Sequence, residues 1–154
     1  MVKIITLFTI AHALAGAAWF GAMFYSLTVL QPRAILFFDN DEKFETFITV
    51  ISHGARWKVL GAFGLMAITG IPLTAFNWSI KSSTIWFGLV GIKSGLFLIT
   101  LVIFVYTSWW LWPARVLATV EEMPSMQRKF KWVGGTLLAL VGLNIAIGIV
   151  ANTF

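Results

Sequence analysis

The chain has 154 residues, of which 59% are apolar and 11% charged, with 11 Lys+Arg, 6 Asp+Glu, 2 His and no Cys. A soluble domain is about half apolar and a quarter charged, so this chain cannot cover a water-facing surface, and disorder, which needs low hydrophobicity and high charge, is excluded too. The absent cysteines exclude disulfides, Cys-ligated zinc, iron–sulfur clusters and thiol catalysis; the length allows one compact domain, and the class that remains is a small integral membrane protein.

A membrane helix needs about 20 mostly apolar residues to cross about 30 Å of hydrocarbon. Four stretches qualify, at about 4–30, 59–76, 85–112 and 133–153. The first has His12 as its only ionisable side chain, and it runs well past signal-peptide length, so a retained helix is expected. The polar connection 31–58 follows. Within it Phe44, Phe47, Ile48 and Ile51 recur at helical spacing, with Asp41, Glu42, Glu45 and Thr49 between them. This predicts an amphipathic helix, either lying at the membrane interface or extending the second span, with Asp39-Asn40-Asp41 as its cap. The second span is uncharged and contains Thr69. The third carries Lys93, and the fourth is uncharged but contains Asn144. Strand alternation is absent, which argues against a β-barrel. No internal repeat is evident.

The two longer connections together carry eight Lys/Arg (Arg33, Lys43, Arg56, Lys58, Arg115, Arg128, Lys129, Lys131), and the opposite side carries Lys3 and Lys81. Basic residues concentrate on cytoplasmic loops, so both termini are expected on the non-cytoplasmic side. The net charge of +5 fits attraction to anionic lipid; it is not a nucleic-acid footprint, because the basic residues flank spans. Trp78, Trp86, Trp109, Trp110, Trp112 and Trp132 fall near span ends, as an interfacial belt requires. Trp19 is mid-span and is not explained that way.

Ionisable groups inside a bilayer are costly and point to function. His12 and Lys93 each lie about eight residues, or ~12 Å, below the same end of the bundle. Thr69 and Asn144 fall at a similar depth, so all four spans offer a polar group to one layer. Small residues surround His12 (Ala11, Ala13, Ala15, Gly16, Ala17, Ala18), Gly91 and Gly95 flank Lys93, and Gly135, Ala139, Gly142 and Ala146 continue the pattern. They admit either close helix packing or a flat cofactor. His12 has three readings: an axial ligand to haem, a relay for a quinone, or an interhelical hydrogen bond. Lys93 could be a second axial ligand, a partner for an acidic substrate or a haem propionate, or a proton donor; at ~12 Å it lies deeper than the ~6 Å over which a lysine snorkels to the interface. His53 lies ~25 Å from His12 in depth and reads as a surface residue, with a second, cytoplasm-side haem or propionate site beside Arg56 as the minority reading. No acidic residue lies within a span. Copper would want clustered Met, His or Cys, and Met123-x-x-Met126 is a weak pair on a loop.

The stretch His12-Ala13-Leu14-Ala15-Gly16-Ala17-Ala18-Trp19-Phe20-Gly21, the exit Gln31-Pro32-Arg33, the segment Gly91-Ile92-Lys93-Ser94-Gly95-Leu96, and Arg128-Lys129-Phe130 before a Gly-rich last helix with Asn144 together resemble the CopD-like superfamily. That group includes the membrane domain of copper-resistance protein D and the HemJ-type protoporphyrinogen oxidases. The resemblance implies a four-helix bundle in which haem b can bind, with His12 and Lys93 as the functional pair. The expectation is therefore an all-α four-transmembrane-helix bundle in a bacterial inner membrane. It would bind haem b through His12 as metal ligand, with Lys93, Gly16, Trp19, Asn144 and Thr69 around the cofactor. Electron transfer or quinone-linked oxidation would follow, alone, as a homo-oligomer or within a larger complex. The alternatives are a HemJ-type oxidase, a cofactor-free structural subunit and a copper transporter.

Overall fold

The computed structural model describes residues 2–78, 80–81 and 83–154. All regular structure among them is helical. Helix α1 (Val2–Tyr25) passes through a π-helical turn (Ser26–Leu30) into α2 (Gln31–Phe37); α3 (Asp41–Ser52) and α4 (Ala55–Trp78) follow. Helix α5 (Thr84–Tyr106) passes through a second π turn (Thr107–Leu111) into α6 (Trp112–Val116), and α7 (Met123–Ala151) closes the chain. The rods Val2–Phe37, Ala55–Trp78, Thr84–Val116 and Met123–Ala151 are each long and apolar enough to cross a membrane, so the protein is an integral membrane protein by the length and composition of its helices.

The first and third rods run beyond the expected limits of 30 and 112 because Pro32 and Pro113 do not stop them. A proline lacks an N–H and its ring crowds the carbonyl four residues back. Here the helix widens just before each proline: the N–H of Gln31 reaches the carbonyl of Ser26, and that of Trp112 reaches Thr107, five residues back in both cases. One extra residue per turn rotates everything after it by about 100°. As a result Ala34 and Arg115, each two residues past its proline, both face inward and are buried.

The correspondence is wider than the prolines. The offset of 81 residues that carries Ser26 to Thr107 and Pro32 to Pro113 also carries His12 to Lys93. The first and third rods thus share one backbone plan, long helix, π turn and short helix, while the return helices α4 and α7 do not keep the offset. Helix α1 packs along α4, α5 along α7, and α7 along α1. Helix α4 meets the third rod instead through rings, with Phe63 5.3 Å from Phe97 and 5.6 Å from Phe104 of α5, and Trp57 6.0 Å from Trp109 of the π turn. The core is Trp19, Phe63, Met66 and Val141. This accounts for Trp19, whose ring packs at a tilt against Phe63, centroids 4.6 Å apart. Trp78, Trp109, Trp110 and Trp132 are exposed as a lipid-facing belt requires, whereas Trp86 is buried and Trp112 packs on Phe130.

Helix α3 is a separate element docked across the loop end of the bundle, not an extension of the second span. Asn40 caps it, accepting from the Glu42 N–H at 2.6 Å, which satisfies one orphan donor. Gly54 then turns the chain with φ +71°, a conformation that glycine adopts without penalty. Phe44 and Ile48 pack on Ala34, with Phe38, Phe47 and Trp112 around them. Between those two residues Glu45 receives both arms of Arg115, at 2.8 and 2.9 Å, and the amide of Gln127 at 3.0 Å. Three elements are thereby tied at one carboxylate. At the entry to α7, the Glu122 carboxylate accepts from the N–H and hydroxyl of Thr119, which hold it below the usual carboxylate range.

Candidate functional site: a polar layer in the terminal half

The end of the bundle that carries Val2, Trp78, Thr84 and Ala151 holds the polar layer. His12, Thr69, Lys93 and Asn144 lie roughly 10–15 Å from the ends of their helices at 1.5 Å per residue. Antiparallel packing brings them into two pairs, one in each hairpin.

In the first pair, His12 of α1 meets α4. Its Nδ1 lies 3.0 Å from the carbonyl oxygen of Met66 and 3.0 Å from Oγ1 of Thr69. A carbonyl can only accept, so the proton sits on Nδ1 and is shared between the two oxygens. The Thr69 hydroxyl donates its own proton to the Leu65 carbonyl at 2.6 Å, which leaves its oxygen free to accept. In the neutral imidazole the lone pair is then on Nε2, which has no hydrogen-bond partner among the described residues. The ring rests on Gly70, where an added Cβ would stand 2.9 Å from Cε1 and 3.3 Å from Nδ1.

In the second pair, Lys93 of α5 meets α7. Asn144 donates from Nδ2 to the Lys93 carbonyl at 2.8 Å, and the lysine side chain extends along α7 until Nζ lies against Gly148. Gly148 is three residues short of Ala151, so the ammonium is only about 5 Å from the end of that helix. The backbone of Lys93 is deep and its charge is shallow. The depth that argued against snorkelling belongs to the Cα; the stem carries the charge from the level of Asn144 to that of Gly148, four residues or ~6 Å along α7. Alanine at Gly148 would occupy the place of Nζ. Because only the flexible tip of a lysine must move, Gly148→Ala is expected to change stability by less than about 1 kcal/mol and to alter the labelling rate of the Lys93 amine by an amine-reactive reagent. An unaltered rate would mean that Lys93 does not lie on α7.

The remaining expected site residues fall elsewhere. Gly16 and Trp19 belong to the apolar core, Gly16 with the Met66 sulfur beside it. His53 is exposed at the corner between α3 and α4, at the opposite end from His12. Two features had no signal in the sequence: the Met66 carbonyl and Gly70 as partners of His12, and the Glu45–Arg115–Gln127 network. A backbone carbonyl is invisible to motif reading, and a glutamate on an amphipathic helix reads as solvated. No group of three or more His, Asp or Glu that could hold a metal ion occurs among the described residues. No family model, curated protein or solved structure matches the chain.

Proposed function

We propose that this is a membrane protein that binds haem b through His12 and serves in electron transfer or quinone-linked oxidation. The observation that carries the reading is the His12 imidazole. It is held by Met66 and Thr69 with its Nδ1 proton committed, and its Nε2 lone pair has no hydrogen-bond partner among the described residues. Histidines that ligate metals donate the other ring N–H to a carbonyl or carboxylate in this way. One imidazole is too few ligands for a bare ion, so the donor set fits a metal that arrives with a macrocycle of its own. Haem would supply one-electron redox chemistry at that position. The chain's part would be to hold and orient the imidazole and to keep water away with the aromatic core below it. Lys93, whose ammonium lies against Gly148 near the end of α7, would pair with a carboxylate such as a propionate rather than with iron.

The basic excess on the loop side supports a cytoplasmic placement of that end, hence a bacterial inner membrane with the polar layer toward the other face. A quinone, further membrane subunits or a second copy would be the electron partners. The second reading is a cofactor-free structural subunit. It is favoured by the same bonds taken as interhelical ties, His12 to Met66 and Asn144 to Lys93. An optical spectrum of the protein purified in mild detergent with haem supplied, oxidised and then dithionite-reduced, separates the two. A Soret band with sharpened reduced α and β bands is expected; tryptophan absorbance alone would leave the structural reading.

A further inference from the structure

We infer that the α4 turn from Met66 to Gly70 is a positioning device that sets the tautomer and the plane of the His12 imidazole, with Thr69 as its hydrogen-bonding member and Gly70 as its floor. The inference rests on the haem reading for its functional consequence but not for its geometry. It assigns Thr69 a role through His12 rather than a contact with the cofactor.

The argument begins with the hydroxyl. Thr69 is 3% exposed, and a buried hydroxyl must have its hydrogen bonds satisfied. Its single proton goes to the Leu65 carbonyl at 2.6 Å, the usual back-bond of a helical threonine. That choice turns the oxygen lone pairs toward α1, where His12 Nδ1 stands at 3.0 Å. The Met66 carbonyl is the second acceptor at the same distance. Two oxygens therefore face one ring nitrogen, and no arrangement of protons satisfies both unless that nitrogen carries the hydrogen. In water the neutral imidazole prefers the proton on Nε2; here the two acceptors reverse the preference and point the lone pair away from α4. The floor is the second element. A side chain at residue 70 would meet Cε1 at 2.9 Å, closer than real Cβ contacts come, so the ring reaches both acceptors only because residue 70 is glycine.

Two readouts test the device, one of them independent of haem. Nitrogen-15 NMR of the full chain labelled at histidine, in detergent without haem, should show His12 protonated at Nδ1 and Thr69→Ser unchanged. Thr69→Val, which keeps the volume and removes the acceptor, should shift the population toward the Nε2–H form. In the haem-loaded protein Thr69→Val should weaken haem binding by about 10–100-fold and raise the midpoint potential, since a less electron-rich imidazole stabilises the oxidised iron less. Thr69→Ser should stay within a few-fold of the parent. Gly70→Ala should weaken binding at least as much as Thr69→Val. The inference is overturned by an Nε2–H tautomer in the parent protein. It is equally overturned if Thr69→Val keeps the parent's tautomer, affinity and potential, or if Thr69→Ser loses as much as Thr69→Val, which would make the position one of packing. If the parent shows the Nδ1–H tautomer but binds no haem, the device stands and the haem reading alone fails.

Discussion

Replacing Arg115 with alanine is expected to destabilise the folded protein by about 3–5 kcal/mol, the range for removing one partner of a buried ion pair. The guanidinium is the most fully enclosed charge described, with 6% of its side chain exposed against 15% for Glu45. It holds the carboxylate through two parallel bonds, a geometry that lysine cannot reproduce, and it also lies 4.7 Å over the Phe130 ring. Removing it leaves Glu45 with only the Gln127 amide. Phe44 and Ile48 flank Glu45 on the same docked face, so helix α3 should detach from the loop end before the rest of the bundle opens. Chemical denaturation in detergent and hydrogen exchange over residues 41–52 would check this, with early loss of protection in α3 expected. Arg115→Lys should fall between. The double change Glu45→Leu with Arg115→Met should recover much of the loss, because a well-packed apolar pair often replaces a buried ion pair without cost. An Arg115→Ala protein as stable as the parent would mean that apolar packing alone holds α3.

Replacing His12 with alanine should abolish haem binding while leaving the bundle folded. The fold should survive because the imidazole is only half-buried, and the two oxygens it faces, the Met66 carbonyl and the Thr69 hydroxyl that bonds back to Leu65, tolerate the loss of an extra donor; a cost of about 1–2 kcal/mol is expected. The effect on haem should exceed the roughly 10–100-fold that follows from losing an outer-shell partner, since the bond to the metal itself is removed. Imidazole added to the His12→Ala protein should restore part of the reduced α and β bands, because the Gly70 floor and both acceptors are still in place to receive a free ring. His53→Ala, at the opposite end of the bundle, should leave the spectrum unaltered. Full haem content in His12→Ala would sink the ligand assignment.

These two residues differ in how visible they were. His12 stands out by composition: one ionisable group in a long apolar run, surrounded by small side chains. Arg115 does not, since it is one of four basic residues in its connection and follows a proline that reads as the end of a span. What brings it inward is the π turn over Thr107–Leu111, whose extra residue changes the helical register. A periodicity argument that assumes 3.6 residues per turn loses that register. Divergent side chains hide the correspondence of the two rods. The first and third rods share a backbone plan and the proline that follows the π turn at an offset of 81 residues, but His12 answers to Lys93 and Ala34 to Arg115, so little else of the side-chain pattern recurs.

Lys93 illustrates the other limit. Counting residues from the span end places its backbone correctly and its charge wrongly, because a long side chain can carry its head several ångströms along a neighbouring helix. Only the packing of α5 on α7, with glycine at residue 148, decides where the ammonium lies.

The number of helices long and apolar enough to cross a membrane, the amphipathic segment between the first two, and the layer of polar residues follow from the sequence by itself. Each depends on one-dimensional quantities: hydrophobic length against bilayer thickness, and depth against rise per residue. Which polar groups pair, which nitrogen of His12 carries the proton, how Arg115 meets Glu45, and which tryptophans are core rather than belt were decided by the tertiary structure alone. Those outcomes depend on rotation of one helix about its axis relative to another, and on backbone carbonyls that every residue possesses alike, so nothing in residue identity distinguishes them until the helices are packed.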